Sequence, residues 1–328
     1  MALFLQLLVA GLVIGSIYSL ISLGYTMVYG IIELINFAHG DIFMIGTLVV
    51  LGMLKGVFHV TEASHLSGLP LIGMLVVTGL AAMLICAVVG VLMERIAYRP
   101  LRNAPRLAPL ISAIGVSLVL EDIGKFIIGP ADITAPDVIT RVHYCIGPNS
   151  AALGCQGLDI TNIDILVIVV ALVMMVGLQW LVTSTRIGRA MRAVSQDREA
   201  AALMGVNVDR IIATTFFIGA GLAGAAAFIF MLSSEGGVTI FNIGFELGLI
   251  AFTAAVLGGI GNIVGAMIGG IVIGLIRAFV TYIPDRDIPF GLPHGGVAWQ
   301  EAAIFVVLIL ILVFRPTGLL GQRISDKV

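Results

Sequence analysis

Residues 1–32, MALFLQLLVAGLVIGSIYSLISLGYTMVYGII, contain no Asp, Glu, Lys or Arg. About 20 apolar residues in a helix cross a bilayer, so this stretch is long enough for one crossing. Further uncharged runs cover 63–93, 165–185, 211–234 and 247–276. Across all 328 residues, 59% are hydrophobic and 11% charged, whereas a water-soluble domain carries roughly 25% charged residues. This composition excludes an ordinary soluble enzyme and predicts an all-α, polytopic transmembrane bundle over 1–328. The net charge of −2 offers no basic face for displacing counterions from phosphates, so no nucleic-acid partner is expected. Leu3, Phe4 and Leu5 follow the first Met with no basic segment and no small-residue cleavage site, which reads as a retained span.

Apolar runs between charge clusters predict spans near 3–23, 42–57, 70–93, 107–129, 163–183, 211–232, 246–260, 263–283 and 300–314. Lys and Arg in short loops orient them. Arg95, Arg99, Arg102 and Arg106 stand against Glu94 alone, and 185–210 holds five Arg against three acids. Both segments read as cytoplasmic, as does the tail with Arg315, Arg323 and Lys327. The loop 130–162, with Arg141 against Asp132, Asp137 and Asp159, reads as external, and so does 284–299, with Arg286 between Asp285 and Asp287. The alternation closes from residue 94 onward if 258–262 is a tight cytoplasmic turn. Residues 24–54 admit one broken span or a turn before a short span, so nine spans would put the N-terminus outside and eight or ten inside. Cys145 and Cys155 sit in the external loop, where an oxidising compartment permits a disulfide. Cys86 reads as packing inside a span.

Gly261, Gly265 and Gly269 repeat at every fourth position, as do Gly11 with Gly15, and Gly219 with Ala223 and Ala227. Such stripes let helix backbones approach closely in lipid. Gly258-Gly259-Ile260-Gly261 lacks the G-x-G-x-x-G spacing of a dinucleotide loop, and Walker A, H-E-x-x-H and G-x-S-G sequences are all absent. No cofactor, metal or catalytic group is therefore expected, and ATP hydrolysis would have to come from another subunit.

The longest cytoplasmic excursion, 185–212, reads TRIGRAMRAVSQDREAAALMGVNVDRII. Ser195 suits an N-cap, Asp197 and Glu199 suit a first turn, and Gly205 suits a helix end. A helix of about nine residues, roughly 13 Å long, is expected there. Too short to span lipid and with little apolar bulk, it suits either a solvated loop helix or a knob for a groove on another protein.

Glu199-Ala200-Ala201 followed by Gly205 resembles the EAA-x-x-x-G loop by which ABC importer permeases dock onto their ATPase subunits. The flanks Ile187–Ala193 and Met204–Asn207 resemble the branched-chain amino acid permeases of the LivH type. So do Leu34–Asp41, Ala255–Asn262 with Gly265 and Ala266, and Gly11–Gly30. The resemblance implies a multi-pass subunit of the bacterial inner membrane. It also implies a homologous second permease, two cytoplasmic ABC ATPases and a periplasmic substrate-binding protein as partners. On that reading 185–210 is the coupling loop, with Ser195, Glu199, Ala200, Ala201 and Gly205 as its ATPase-coupling residues. The cargo implied is branched-chain amino acids, with urea, short amides or other amino acids as alternatives on the same machinery.

Ionisable groups inside spans cost about 2.5–3.5 kcal/mol and so face the bundle interior or serve a task. Asn36, His39, Gly40 and Asp41 mark either a broken helix lining the translocation pathway or a turn at the membrane surface. Glu121 and Lys125, one turn apart, are expected to pair. Glu246 and Arg277 stand alone near external ends of spans, where long side chains reach the headgroups. A more distant reading is an ion-coupled carrier or channel using His39, Asp41, Glu121 and Glu246 as a relay, and an intramembrane enzyme is remoter still.

Overall fold

A computed structural model describes residues 2–34, 36–60, 68–102, 104–105, 107–147, 149–150, 154–155, 157–233, 237–283 and 296–321. Most of the second external loop, with Asp285, Arg286 and Asp287, and the tail residues Arg323 and Lys327 lie outside the described residues. The protein is an all-α bundle. Its helices are α1 (Ala2–Ile32), α2 (His39–Leu51, continued by a π-helical stretch Gly52–Val57), α3 (Leu69–Met93, continued to Leu101), α4 (Leu107–Ile128) and α5 (Asn162–Ser184). Two short helices, α6 (Arg186–Gln196) and α7 (Arg198–Leu203), precede α8 (Val208–Leu232), α9 (Ile243–Gly258), α10 (Ile263–Thr281) and α11 (Gly296–Phe314). Seven of the described helices are long and apolar enough to cross a membrane. With α4 and the shorter α9, each of the nine expected runs falls on one helix. The first helix is longer than the expected run 3–23, because α1 continues without a break to Ile32.

Local chemistry sets the helix ends. Thr161 and Asp164 form a reciprocal capping box at the start of α5, Asn207 caps α8 through Arg210 N–H, and Asn262 caps α10 through Gly265 N–H. The turn between α9 and α10 is tight because Gly259 and Gly261 take φ of +107° and +89°, which side chains disfavour. Gly261 therefore belongs to that turn rather than to the helical stripe expected with Gly265 and Gly269.

Small residues set the packing. Gly11 and Gly15 of α1 lie against the backbone of Leu275 and Ile271 on α10, where a Cβ would stand 2.8 Å from either Cα. Ser19 and Ser22 donate across the same seam to the carbonyls of Met267 and Ala266 at 2.7 and 3.0 Å. Gly265 and Gly269 bring α10 onto α9 at Gly258 and Ala254. On the opposite side α8 meets α3 in the same manner, with Gly224 on the Ala82 carbonyl and Gly90 on Ala220. In lipid, where apolar surface gains little from leaving the solvent, such close backbone approach and interhelical hydrogen bonding hold a bundle together.

The arrangement repeats with inverted direction. α1 packs on α10 as α8 packs on α3, α2 lies beside α8 as α9 lies beside α1, and α2 and α9 cross at the centre. Each of the two central helices starts from the same local form. His39 N–H donates to Asn36 O and Ile243 N–H to Ile240 O, each with a phenylalanine two residues before the helix start and a glycine at its second residue. Inverted repeats with discontinuous helices are a recurring architecture among membrane transporters.

Both ends are internally consistent. Gln6 exchanges two hydrogen bonds with the Asp159 backbone, at 3.0 and 2.9 Å, so α1 begins on the face of the 130–162 loop. That loop holds short antiparallel ladders, β2 (His143–Ile146) with β5 (Leu158–Thr161) and β3 (Asn149–Ser150) with β4 (Gly154–Cys155). Cys145 and Cys155 are joined by a disulfide with Cα atoms 5.7 Å apart. A further ladder pairs β1 (Ile133–Thr134) with β6 (Val238–Thr239), tying the loop to the segment before α9. At the opposite end Arg99 and Arg102 pair with Asp209, Arg102 also with buried Glu94, and Leu319 and Leu320 donate to Leu257 and Gly258. The basic segments read as cytoplasmic thus converge on one face, and α1 starts on the other, as nine crossings require.

Candidate functional site

The first region lies where α2 starts. α1 ends at Ile32, Glu33 takes φ of +57°, and the chain turns back to begin α2 at His39. His39 packs its Nε2 edge on Gly24, eight residues before the end of α1 or about 12 Å back into the bundle. Ser117, which donates to the Asp41 carboxylate, sits midway along α4. The helix start is therefore at mid-depth, which favours the broken-helix alternative over a turn at the membrane surface. Gly40 allows it: a Cβ there would stand 2.1 Å from the Gly244 carbonyl oxygen and 2.8 Å from Gly248 Cα.

Asn36, His39 and Asp41 are all buried. Asn36 Oδ1 accepts from the Tyr98 hydroxyl at 2.9 Å, and the His39 ring meets Tyr25 edge-on with centroids 4.7 Å apart. Asn36 Nδ2, His39 Nε2 and Asp41 Oδ1 have no hydrogen-bond partner among the described residues. Buried polar atoms are nearly always paired, so three orphans within six residues single out this turn as a candidate site. Sequence reading gathered Asn36, His39, Gly40 and Asp41 but missed Tyr25, Tyr98, Ser117, Gly244 and Gly248, which come from four other helices. The recurring Phe-x-x-Gly of Phe37–Gly40 and Phe241–Gly244 was the available signal.

Glu121 and Lys125 do not pair with each other. The Lys125 ammonium stands 5.5 Å over the Phe241 ring, a cation–π contact from α4 to the start of α9. Arg277 does not reach for headgroups either. Its Nη1 donates inward to the Tyr18 hydroxyl and its Nε to Gln300 Oε1 at 3.1 Å. The Tyr18 hydroxyl and Gln300 Oε1 are the acceptors that hold the guanidinium within the bundle.

The second region is the excursion between α5 and α8. Thr185 caps α6, and Ser195 lies inside that helix with its hydroxyl on the Arg192 carbonyl at 2.9 Å. Ser195 is therefore not the N-cap of the following helix. Asp197 is, accepting from the N–H groups of Glu199 and Ala200 at 2.9 and 3.0 Å. The reason is local: α6 runs on through Ser195, and the chain first becomes extended at Asp197, with φ −156° and ψ 114°. α7 has six residues rather than nine, ending at Leu203, and Gly205, whose φ is +84°, turns the chain two residues later. Glu199, Ala200 and Gly205 are exposed, whereas Ala201 is buried. Leu203 and Met204 form an apolar tip, 88% and 84% exposed. Arg198 anchors the knob, donating to the carbonyls of Ile31 and Ile32 at 3.0 and 2.8 Å. Those carbonyls are among the last of α1, which lack helical partners and attract a cation.

A broken helix pair at mid-depth inside a multi-pass bundle, with a capped apolar knob strapped to one end, defines an α-helical membrane transport subunit. The family described as the branched-chain amino acid transport system permease component matches residues 7–313, and the chain belongs to that family. The high-affinity branched-chain amino acid transport system permease protein BraD of Pseudomonas aeruginosa is 40% identical over 99% of this chain and 98% of its own length. LivH of Escherichia coli, with the same description, is 38% identical over 99% and 98%. A probable branched-chain amino acid transport permease LivH of Methanocaldococcus jannaschii is 25% identical over 96% and 92%. No solved structure matches. The protein is a multi-pass permease subunit of the inner membrane.

Proposed function

We propose that this chain is one of two homologous permease subunits of an ATP-driven importer for branched-chain amino acids. It works with two cytoplasmic ATPases, a periplasmic binding protein and a translocation pathway passing the α2 and α9 starts. The observation that carries this reading is the path from knob to helix break. α7 presents Glu199, Ala200, Leu203 and Met204 outward, while Arg198 holds its base to the end of α1. The same helix α1 seats His39 at Gly24 and Tyr25. A displacement of α7 by an ATPase subunit would thus be delivered to the helix on which the mid-depth break rests. Neither a tight pocket nor a catalytic group is needed for this work, since a conduit must release what it admits.

The test is reconstitution in proteoliposomes. Uptake of radiolabelled L-leucine is expected only with both permeases, both ATPases, ATP and the binding protein present. Uptake by the permeases alone on an ion gradient would refute the reading in favour of a secondary carrier, and uptake of urea but not leucine would refute the cargo.

A further inference from the structure

A second feature at the external half of the bundle belongs neither to the helix break nor to the knob. A cavity of about 230 Å³ opens between α1, α8, β6, α9 and α10. Its walls are of two kinds. One is apolar, from Ile14 and Ile17 of α1, Phe230 of α8 and Leu247 of α9. The other carries Glu246 and Arg277, which are the single acid and the single base lining it, with Asn242 and the Tyr18 hydroxyl beside them. These two charges are isolated in sequence within otherwise uncharged stretches, and only the packing of α9 against α10 brings them to one chamber.

They do not neutralise each other, since no ion pair joins them among the described residues. Arg277 is held by Tyr18 and Gln300, and Glu246 lies in the first turn of α9, where the helix dipole favours an anion. A cation and an anion that line one partly apolar chamber of metabolite size without pairing with each other are complementary to one ligand chemistry. That is a zwitterion whose carboxylate and ammonium are joined to a hydrocarbon side chain.

We propose that this cavity is an entry subsite for a free α-amino acid, with Arg277 facing the carboxylate, Glu246 the ammonium, and Ile14, Ile17, Phe230 and Leu247 the aliphatic side chain. The inference rests on the amino acid cargo proposed above and adds the place where the permease itself meets it. A neutral amide such as urea would gain nothing from the charge pair. Both groups approach the cargo through charge-assisted hydrogen bonds, so the subsite favours free amino acids over amides or esters of the same side chain.

The test uses the complete importer in proteoliposomes, with L-leucine as probe. Glu246→Gln and Arg277→Gln are each expected to lower leucine uptake by about tenfold or more, the scale of one lost charged contact, while ATP hydrolysis stimulated by the loaded binding protein persists. Arg277→Lys and Glu246→Asp, which keep the charges, are expected to recover most of the uptake. Since Arg277 also holds Tyr18 and Gln300, a second measurement does not depend on its removal. Asn242→Cys places a thiol in the cavity of a chain whose own Cys86 is buried and whose Cys145 and Cys155 are bonded to each other. Its labelling from outside by an impermeant thiol reagent is expected to slow with L-leucine but not with leucinamide. Equal labelling rates with and without leucine, or full uptake in both Gln variants, would overturn the subsite. Absence of leucine uptake by the unaltered importer would instead overturn the cargo on which it rests.

Discussion

Gly40→Ala is the most informative single perturbation of the helix break. The added methyl would stand 2.1 Å from the Gly244 carbonyl oxygen, 3.0 Å from its carbon and 2.8 Å from Gly248 Cα. All three obstacles are backbone, so no side-chain rotation relieves them, and α2 and α9 must separate by more than about 1 Å to regain ordinary contact. Inserting a methyl into a packed interior costs about 1–3 kcal/mol, and the rigid obstacle puts this site at the upper end or beyond. Gly52→Ala is the matched control. That glycine is exposed, has helical φ and ψ of −62° and −38°, and has nothing within 4 Å of an added Cβ. Removing its backbone freedom should stabilise by up to about 1 kcal/mol. In a thermal melt of detergent-purified complex the first variant should melt well below the parent and the second at or slightly above it. Gly244→Ala meets Gly40 O and Asp41 from the other side at 2.7–2.8 Å, so the double variant should cost less than the sum of the two singles, the first having already parted the helices. A Gly40→Ala protein that melts like the parent would refute the claim that α2 and α9 touch backbone to backbone.

Three other outcomes follow from the same geometry. Arg198→Gln loses a charge from its two carbonyl contacts on α1, each worth about 1.5–3 kcal/mol when charge-assisted, so the complex should still assemble and hydrolyse ATP while leucine uptake falls severalfold. Asp197→Ala removes the cap of a six-residue helix at a cost of about 1 kcal/mol and should weaken co-purification of the ATPases, whereas Ser195→Ala should leave it unchanged. Alkylation of the unfolded, unreduced chain should modify only Cys86 of the three cysteines, and all three after reduction, as counted by mass.

What was legible in the sequence depended on properties that add up along the chain. Uncharged runs long enough for a bilayer, and the excess of Arg in 94–106 and 185–210, specify the helices and their directions from residue 94 onward without any knowledge of neighbours, because lipid and membrane charge act on each segment by itself; residues 24–54, which hold no basic group, stayed open between one broken span and two. The glycines of α1, α8 and α10 announced close packing for the same reason, though not against which partner. Where two rules competed locally the reading slipped. Ser195 and Asp197 are both good caps, and the choice went to Asp197 because α6 continues past Ser195. Tertiary structure alone decided the sites. Asp41 meets Ser117, Gly40 meets Gly244, and Glu246 shares a cavity with Arg277 across separations that no local pattern spans. Such pairings are set by how closely backbones can approach and by where a buried polar atom finds a donor, and those quantities exist only once the helices have packed.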